Sequence, residues 1–155
     1  MKIQIFDVEH GGCALLTADT GKRILIDAGH NGTTNWRPST YLKRMGVSHI
    51  EKLIITNFDE DHASDLHNVL EQVSVGVYQR NPSVGADGIK KLKRQSGMGP
   101  GIEAVVGMEK RYTSPVTVEP DFGALTIQSF YNRYPEFEDE NNLSMGPVAN
   151  RVGIC

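Results

Sequence analysis

Residues 53–66 read LIITNFDEDHASDL, an apolar run that leads into a cluster of polar side chains. The run is short and rich in β-branched residues, which is typical of a strand buried on both faces. Beyond the polar cluster, Leu66, Val69 and Leu70 recur at the spacing of one helix face. The stretch therefore predicts a buried strand, a polar turn and a helix over 64–72.

The polar turn contains four candidate metal ligands, namely Asn57, Asp59, Asp61 and His62. Carboxylates and imidazole suit zinc, manganese or iron. Because the turn joins a strand to a helix, several of these groups are able to converge on one point. We expect Asp61 and His62 to hold one divalent ion. Asp59 is expected to hold a second, with Asn57 as a weak oxygen donor.

The acidic residues of this turn also have an explanation without a metal. Negative charge at a helix N-terminus gains about 0.3–1 kcal/mol from the helix dipole. Either Asp61 or Ser64 is an ordinary N-cap. A calcium loop is a further alternative, since oxygen-bearing residues alternate along the turn. That alternative fails because the loop needs Gly at its sixth position and Glu at its twelfth, where this chain has His62 and Asn68.

Three segments carry a resemblance to a known family. Residues 56–62, TNFDEDH, resemble the metal motif His-x-His-x-Asp-His of the metallo-β-lactamase superfamily. They are more similar to the variant His-x-Asp-x-Asp-His of the soluble domain of DNA-uptake competence proteins. Upstream, residues 6–13, FDVEHGGC, are similar to the Asp-Val-Gly-Gln-Gly-Asp opening of that group, and residues 24–29, ILIDAG, match its second-strand signature. The resemblance implies an α/β (α+β) fold, a metallo-β-lactamase-like β-sandwich with flanking helices.

Two departures from the family pattern shape the expected domain. Asn57 stands where the family has its first motif His, and no His follows His67. The family fold has two similar halves, and its second half supplies further ligands. We therefore expect a shortened relative, with a domain over 1–145 that holds the N-terminal half and part of the second, and an irregular tail over 146–155. Such a domain would have an exposed sheet edge that favours self-association.

The segment before the metal motif is predicted to form a β-meander that supports the site. The resemblance implies that Asp27 supports the metal loop without binding the ion itself. His30, in the glycine-rich loop that follows, is a candidate substrate contact. Cys13 lies in an apolar strand pattern and is interpreted as a small buried hydrophobe. The predicted strands are at 3–8, 14–17 and 22–27, with a hairpin turn at 19–21.

The remaining chain is predicted to alternate helices and strands. A basic run at 90–94 is either a solvated helix face or a surface that attracts a nucleic-acid backbone. The predicted helices are at 36–45, 86–95 and 102–110, and the predicted strands are at 73–78 and within 116–131.

Composition limits the class of protein. With 155 residues, of which 39% are hydrophobic and 23% charged, the chain is expected to form one globular domain. A formal net charge of −3 argues against a surface that coats nucleic acid non-specifically. No apolar run approaches the roughly 20 residues that span a bilayer, so no membrane partner is expected. The protein is predicted to be soluble and cytoplasmic.

The resemblance implies a metal-dependent hydrolase that acts through a metal-activated water. The expected cofactor is zinc, with manganese or iron as alternatives, as one or two ions. Asp61 is the candidate catalytic residue, because its carboxylate would orient the water. Carboxylate ligands and a basic approach surface favour a phosphodiester or nucleotide substrate. The alternative is a non-catalytic binding module that keeps the fold without the activity, which Asn57 and the missing second-half ligands support.

Overall fold

A five-stranded mixed sheet forms the centre of the computed structural model, which describes residues 1–131 and 152–154. The strands follow chain order across the sheet. The first two pairings are antiparallel and the last two are parallel. The strands are β1 (Lys2–Ile5), β2 (Ala14–Thr17), β3 (Arg23–Ile26), β4 (His49–Ile54) and β5 (Ser74–Gln79).

The antiparallel half of the sheet closes through the predicted hairpin turn. Gly21 has a φ of 81°, and its N–H donates to the carbonyl of Ala18 at 2.9 Å. A residue without Cβ adopts this left-handed conformation at little cost. The turn therefore sets the register of β2 against β3, in which Leu15 pairs with Leu25.

Five helices lie in the described part of the chain, and the two parallel connections run through the first three of them. The β3–β4 connection contains α1 (Pro38–Arg44). The β4–β5 connection contains α2 (Glu60–Ala63) and α3 (Leu66–Gln72). After β5 come α4 (Ala86–Leu92) and α5 (Pro100–Arg111). None of the helices in residues 1–131 is long and apolar enough to cross a membrane.

The larger hydrophobic core joins one face of the sheet to these helices. Leu25 and Leu53, from neighbouring strands, are both at most 1% exposed. They belong to the same buried cluster as Leu66, Ile89 and Ile102 from three different helices. Because side chains alternate along a strand, the next residues point to the opposite face. The helices therefore cover one face of the sheet as a continuous layer.

The opposite face has a smaller core. Leu16, Ile24 and Ile54 are buried there in a separate cluster with Phe122. Lys52 is only 5% exposed, and its Nζ lies 2.8 Å from a carboxylate oxygen of Glu119. The segment after α5 thus supplies both an apolar cover and a counter-charge for this face.

The predicted fold class is confirmed, because the structure is mixed α/β with a five-stranded sheet and flanking helices. The predicted helix over 64–72 begins later, at Leu66, and a separate short helix, α2, precedes it. Asp61 and Ser64 are not N-caps, because other residues occupy the N-cap positions of α2 and α3. Neither helix has a side-chain hydrogen bond at its N-cap.

The strand prediction for 116–131 is wrong at its start. Val116 and Val118 are exposed and outside any strand, and only β6 (Ile127–Ser129) is regular there. It pairs antiparallel with β7 (Val152–Ile154), which lies within the predicted irregular tail. The rest of that tail lies outside the described residues.

Candidate functional site

The candidate site lies where β3 and β4 end side by side. Their parallel pairing brings the loops after both strands to the same edge of the sheet. Backbone hydrogen bonds join these loops, since Asp27 N donates to the carbonyl of Ile54 at 2.8 Å and Ala28 N to that of His62 at 2.8 Å. The sequence motifs at 24–29 and 56–62 are therefore in direct contact.

Two glycines hold the metal-motif turn from either side. A Cβ atom on Gly11 or on Gly29 would lie 2.2 Å from the backbone oxygen of Asp61. Real Cβ contacts are never so short, so any side chain would displace the turn. Gly29 N also donates to the carbonyl of Gly12 at 2.9 Å, which ties the two glycine loops together. The glycines are required here for close backbone approach.

Asp27 and Thr56 fix the imidazole of His62. Nδ1 of His62 lies 2.9 Å from Oδ2 of Asp27 and 3.2 Å from the Thr56 hydroxyl. The other oxygen of Asp27 accepts the backbone N–H of Thr56 at 2.8 Å. With a carboxylate beside it, Nδ1 carries a proton and donates, so the lone pair of the neutral ring is on Nε2. His62 is thus oriented to present Nε2 to a ligand.

The same contacts change the basicity of His62. Burial disfavours the charged imidazolium, but the hydrogen bond that His62 donates to Asp27 and the charges of Asp27, Asp61 and Asp59 outweigh it. The pKa of His62 is raised above its ordinary value. The site is therefore a strongly negative environment around one buried imidazole.

Asp59 has both carboxylate oxygens occupied by protein groups. The ammonium of Lys93 forms an ion pair with Oδ1, and Nδ2 of Asn57 donates to Oδ2 at 2.8 Å. The side-chain oxygen of Asn57 in turn accepts the N–H of Phe58 at 2.7 Å. Asn57 and Asp59 therefore contact each other. The side-chain oxygens with which they would bind a metal already have partners within the protein.

Asp61 is half-buried, and within residues 1–131 its carboxylate has no ion pair or hydrogen bond. In the same part of the chain, no group of three His, Cys, Asp or Glu side chains is placed to hold a metal ion. The four predicted ligands thus lie in one turn, but within residues 1–131 no three of the acidic and imidazole side chains converge on one point. Their metal roles, and the catalytic role of Asp61, stay predictions.

His30 lies beside the site and is bound to the end of α2. Its N–H donates to Oγ of Ser64 at 3.1 Å, and its Nδ1 is 2.7 Å from the same oxygen. The Ser64 hydroxyl therefore accepts the backbone N–H and is also hydrogen-bonded to the ring. The imidazole is half-buried, and its role as a substrate contact stays a prediction.

Asp65 is a buried structural residue whose contacts the sequence did not show. It is fully buried, and its carboxylate accepts the N–H of Ser39 at 2.8 Å and a guanidinium N–H of Arg37 at 3.2 Å. Asn68 donates to it at 2.7 Å. Asp65 thus accepts a free backbone N–H at the N-terminus of α1, 26 residues upstream. Within residues 1–131, its carboxylate has no hydrogen bond to the candidate ligands.

Two further residues of the site were missed. The carboxylate of Glu60 accepts the N–H groups of Gly101 and Ile102, at 2.8 and 3.1 Å, and so caps α5. Lys93 belongs to the basic run predicted to be a solvated helix face or a surface that attracts nucleic acid, whereas its side chain is only 5% exposed. The available signal was its spacing, because Lys93 follows the buried Ile89 by four positions and shares its helix face.

Comparison with known families gives one match. Residues 7–144, most of the chain, match the family model described as Metallo-beta-lactamase superfamily. No curated protein and no solved structure matched the chain. The matched range includes both loops of the candidate site and the helices that follow them.

Proposed function

Because the chain belongs to the metallo-β-lactamase superfamily, we propose that it is a metal-dependent hydrolase acting on a phosphodiester or a nucleotide. We place it with the competence-protein type on the strength of its Asp59, Asp61 and His62 pattern. Zinc is the proposed ion, with manganese or iron as alternatives.

The observation that carries the proposal is the oriented imidazole of His62 next to Asp61. A buried His whose Nδ1 is bound to a carboxylate is the arrangement that prepares a ring for a ligand on Nε2. Two glycine loops hold the adjacent backbone of Asp61 at a distance that excludes any side chain. A chain that needed only to begin a helix would require neither feature.

The proposed substrate class rests on charge. Three exposed cations, Lys90, Lys91 and Arg94, lie on or directly after α4, whose last turn reaches the site through Lys93. Cationic side chains neutralise phosphate oxygens without regard to base sequence. The net charge of −3 makes this a local patch on an otherwise acidic protein. A phosphate-bearing substrate would be attracted to the side of the site where these residues lie.

A second candidate function is a non-catalytic module that keeps the fold and binds a partner or nucleotide. The ion pair between Lys93 and Asp59 favours it, since that carboxylate is neutralised by the protein itself. Asn57, a neutral amide in the first motif position, agrees with this alternative. The two candidates differ in whether the purified protein retains a metal ion.

Elemental analysis of the purified protein, followed by hydrolysis of bis-p-nitrophenyl phosphate, distinguishes them. We expect bound metal and metal-dependent hydrolysis in the parent protein, and loss of both in Asp61→Asn and His62→Ala. His10→Ala is the matched control, because it also removes an imidazole and His10 is exposed. A parent protein that binds no metal and does not hydrolyse the substrate would exclude the metal-dependent hydrolase and leave the binding module.

A further inference from the structure

Lys93 is a buried cation at the candidate metal site. It directly follows α4, is 5% exposed, and places its ammonium on Oδ1 of Asp59. Its neighbours Lys90, Lys91 and Arg94 are all exposed. An ammonium removed from water needs a permanent counter-charge, because its desolvation is otherwise uncompensated. Asp59 supplies that charge.

The position of Lys93 is fixed by the packing of the helices. Ile89 and Leu92, from the same face of α4, are buried in the larger core. The residue next to Asp59, Glu60, is bound to the N-terminus of α5 through Gly101 and Ile102. Two of the three acidic residues at the start of α2, Asp59 and Glu60, are therefore used to attach the α4–α5 pair. Lys93 is therefore part of the contact between α2 and the α4–α5 pair, and it is not a mobile surface side chain adjacent to Asp59.

The charges at Asp59 leave little room for a second cation. One oxygen faces the ammonium and the other accepts the amide of Asn57 at 2.8 Å. A divalent ion on the same carboxylate would stand beside an existing positive charge, and like charges at that range repel. The ammonium and the amide also take one lone-pair site on each oxygen, so a metal ion would compete with both groups for this carboxylate.

We propose that the ammonium of Lys93 is a resident cation that takes the place of one divalent metal ion at Asp59. The chain then holds no more than one metal ion, on the side of Asp61 and His62. This inference rests on the proposed function for the ion at His62, but the replacement at Asp59 stands independently of it. The site would then contain two positive charges of different origin. One is a bound metal ion, and the other is the ammonium of the Lys93 side chain.

Counting bound ions tests the proposal. The full chain is stripped with chelator and titrated with Mn²⁺, and free Mn²⁺ is measured by electron paramagnetic resonance. We expect no more than one ion per parent chain and one additional ion in Lys93→Met. Lys93→Gln, which keeps a polar group against Asp59, should show the same gain. Lys90→Met is the matched control, because Lys90 is exposed on the same helix and pairs with Asp87.

The additional ion should depend on Asp59. Adding Asp59→Asn to Lys93→Met should return the count to that of the parent. Two ions in the parent chain, or the same count in the parent and both Lys93 variants, would overturn the proposal. A parent chain with no ion and a Lys93→Met variant with one would exclude the proposed hydrolase while supporting the replacement at Asp59.

Discussion

Nδ1 of His62 lies 2.9 Å from Oδ2 of Asp27, although the two residues are 35 positions apart in the chain. The parallel pairing of β3 with β4 creates this contact, since each strand delivers one partner at its carboxyl end. Asp27 has a φ of 57°, a left-handed conformation that Asp adopts more readily than most residues. The backbone at the end of β3 is therefore shaped to aim this carboxylate at the imidazole.

Replacing Asp27 with Asn is expected to lower the pKa of His62. Burial already lowers this pKa, and the hydrogen bond and charge of Asp27 are the first effects that oppose it. An amide keeps the size of the side chain and removes its charge. The titration of the His62 ring protons by NMR in metal-free protein measures the change. An unchanged His62 pKa in the variant would show that Asp27 does not control the ring.

The same contact predicts how stability depends on pH. Because the folded-state pKa of His62 is raised, the folded protein binds this proton more tightly than the unfolded chain. The resulting stabilisation is fully present below the unfolded pKa of about 6.5 and is lost as pH rises through the folded pKa. Urea unfolding of metal-free protein across this pH range should show a free energy of unfolding that depends less on pH in Asp27→Asn than in the parent protein. Equal slopes in the two proteins would contradict the prediction.

Gly101→Ala and Gly107→Ala are expected to change stability in opposite directions. Both glycines lie in α5, but a Cβ on Gly101 would be 2.2 Å from the carbonyl oxygen of Ala63, whereas one on Gly107 meets nothing within 4 Å. Gly107→Ala should stabilise by about 0.5–1 kcal/mol, the usual gain in a helix interior. Gly101→Ala should destabilise by about 1–3 kcal/mol, since the contact between α2 and α5 must open.

Chemical denaturation of both variants measures this difference. Gly107→Ala serves as the control for helix propensity, because the substitution and the helix are the same. If both variants were stabilised, the close contact between α2 and α5 would be absent in solution. The attachment of Glu60 to the N-terminus of α5 would then also be in doubt.

The strands and the loops of the site were predictable because their signals are local. The β-branched run ending at Ile55 and the glycines after Asp27 have few other structural solutions. The hairpin at Gly21 follows from turn chemistry alone. Short-range patterns of this kind assign each motif to a strand and its following loop, and the strand pairing then brings the three motifs to one sheet edge.

The remaining features depend on contacts between distant parts of the chain. The break between α2 and α3 occurs at Asp65, whose carboxylate is bound to the N-terminus of α1. No local periodicity reports such a contact. Lys93 lies within a basic run whose other cations are exposed. Only its spacing of four positions from the buried Ile89 indicated that its side chain points toward the core. Val116 and Val118 alternate like a strand but have no neighbouring strand in the described residues, so the pattern alone does not form one.

Asp65→Ala is expected to destabilise the protein by about 1–3 kcal/mol, because it leaves the buried N–H of Ser39 without an acceptor. Asp65→Asn should cost less, since an amide oxygen still accepts the N–H of Ser39. Thermal unfolding followed by circular dichroism compares the two. A loss of similar size in both variants would indicate that charge, and not hydrogen-bond acceptance, is what α1 requires.

The ion pair between Lys93 and Asp59 should also be measurable as a coupling energy. In a double-mutant cycle with Lys93→Met and Asp59→Asn, we expect a coupling of about 1–3 kcal/mol, below the value for a fully buried pair because Asp59 is 24% exposed. The pair between Lys90 and Asp87 on α4 is the reference. It is a solvated i,i+3 pair, so its coupling should be close to zero and should fall further with added salt. Denaturant unfolding of the parent and the six variants, measured without metal, gives both couplings. Equal couplings in the two cycles would mean that the Lys93 ammonium is solvated in solution, and Asp59 would then be available to a metal ion.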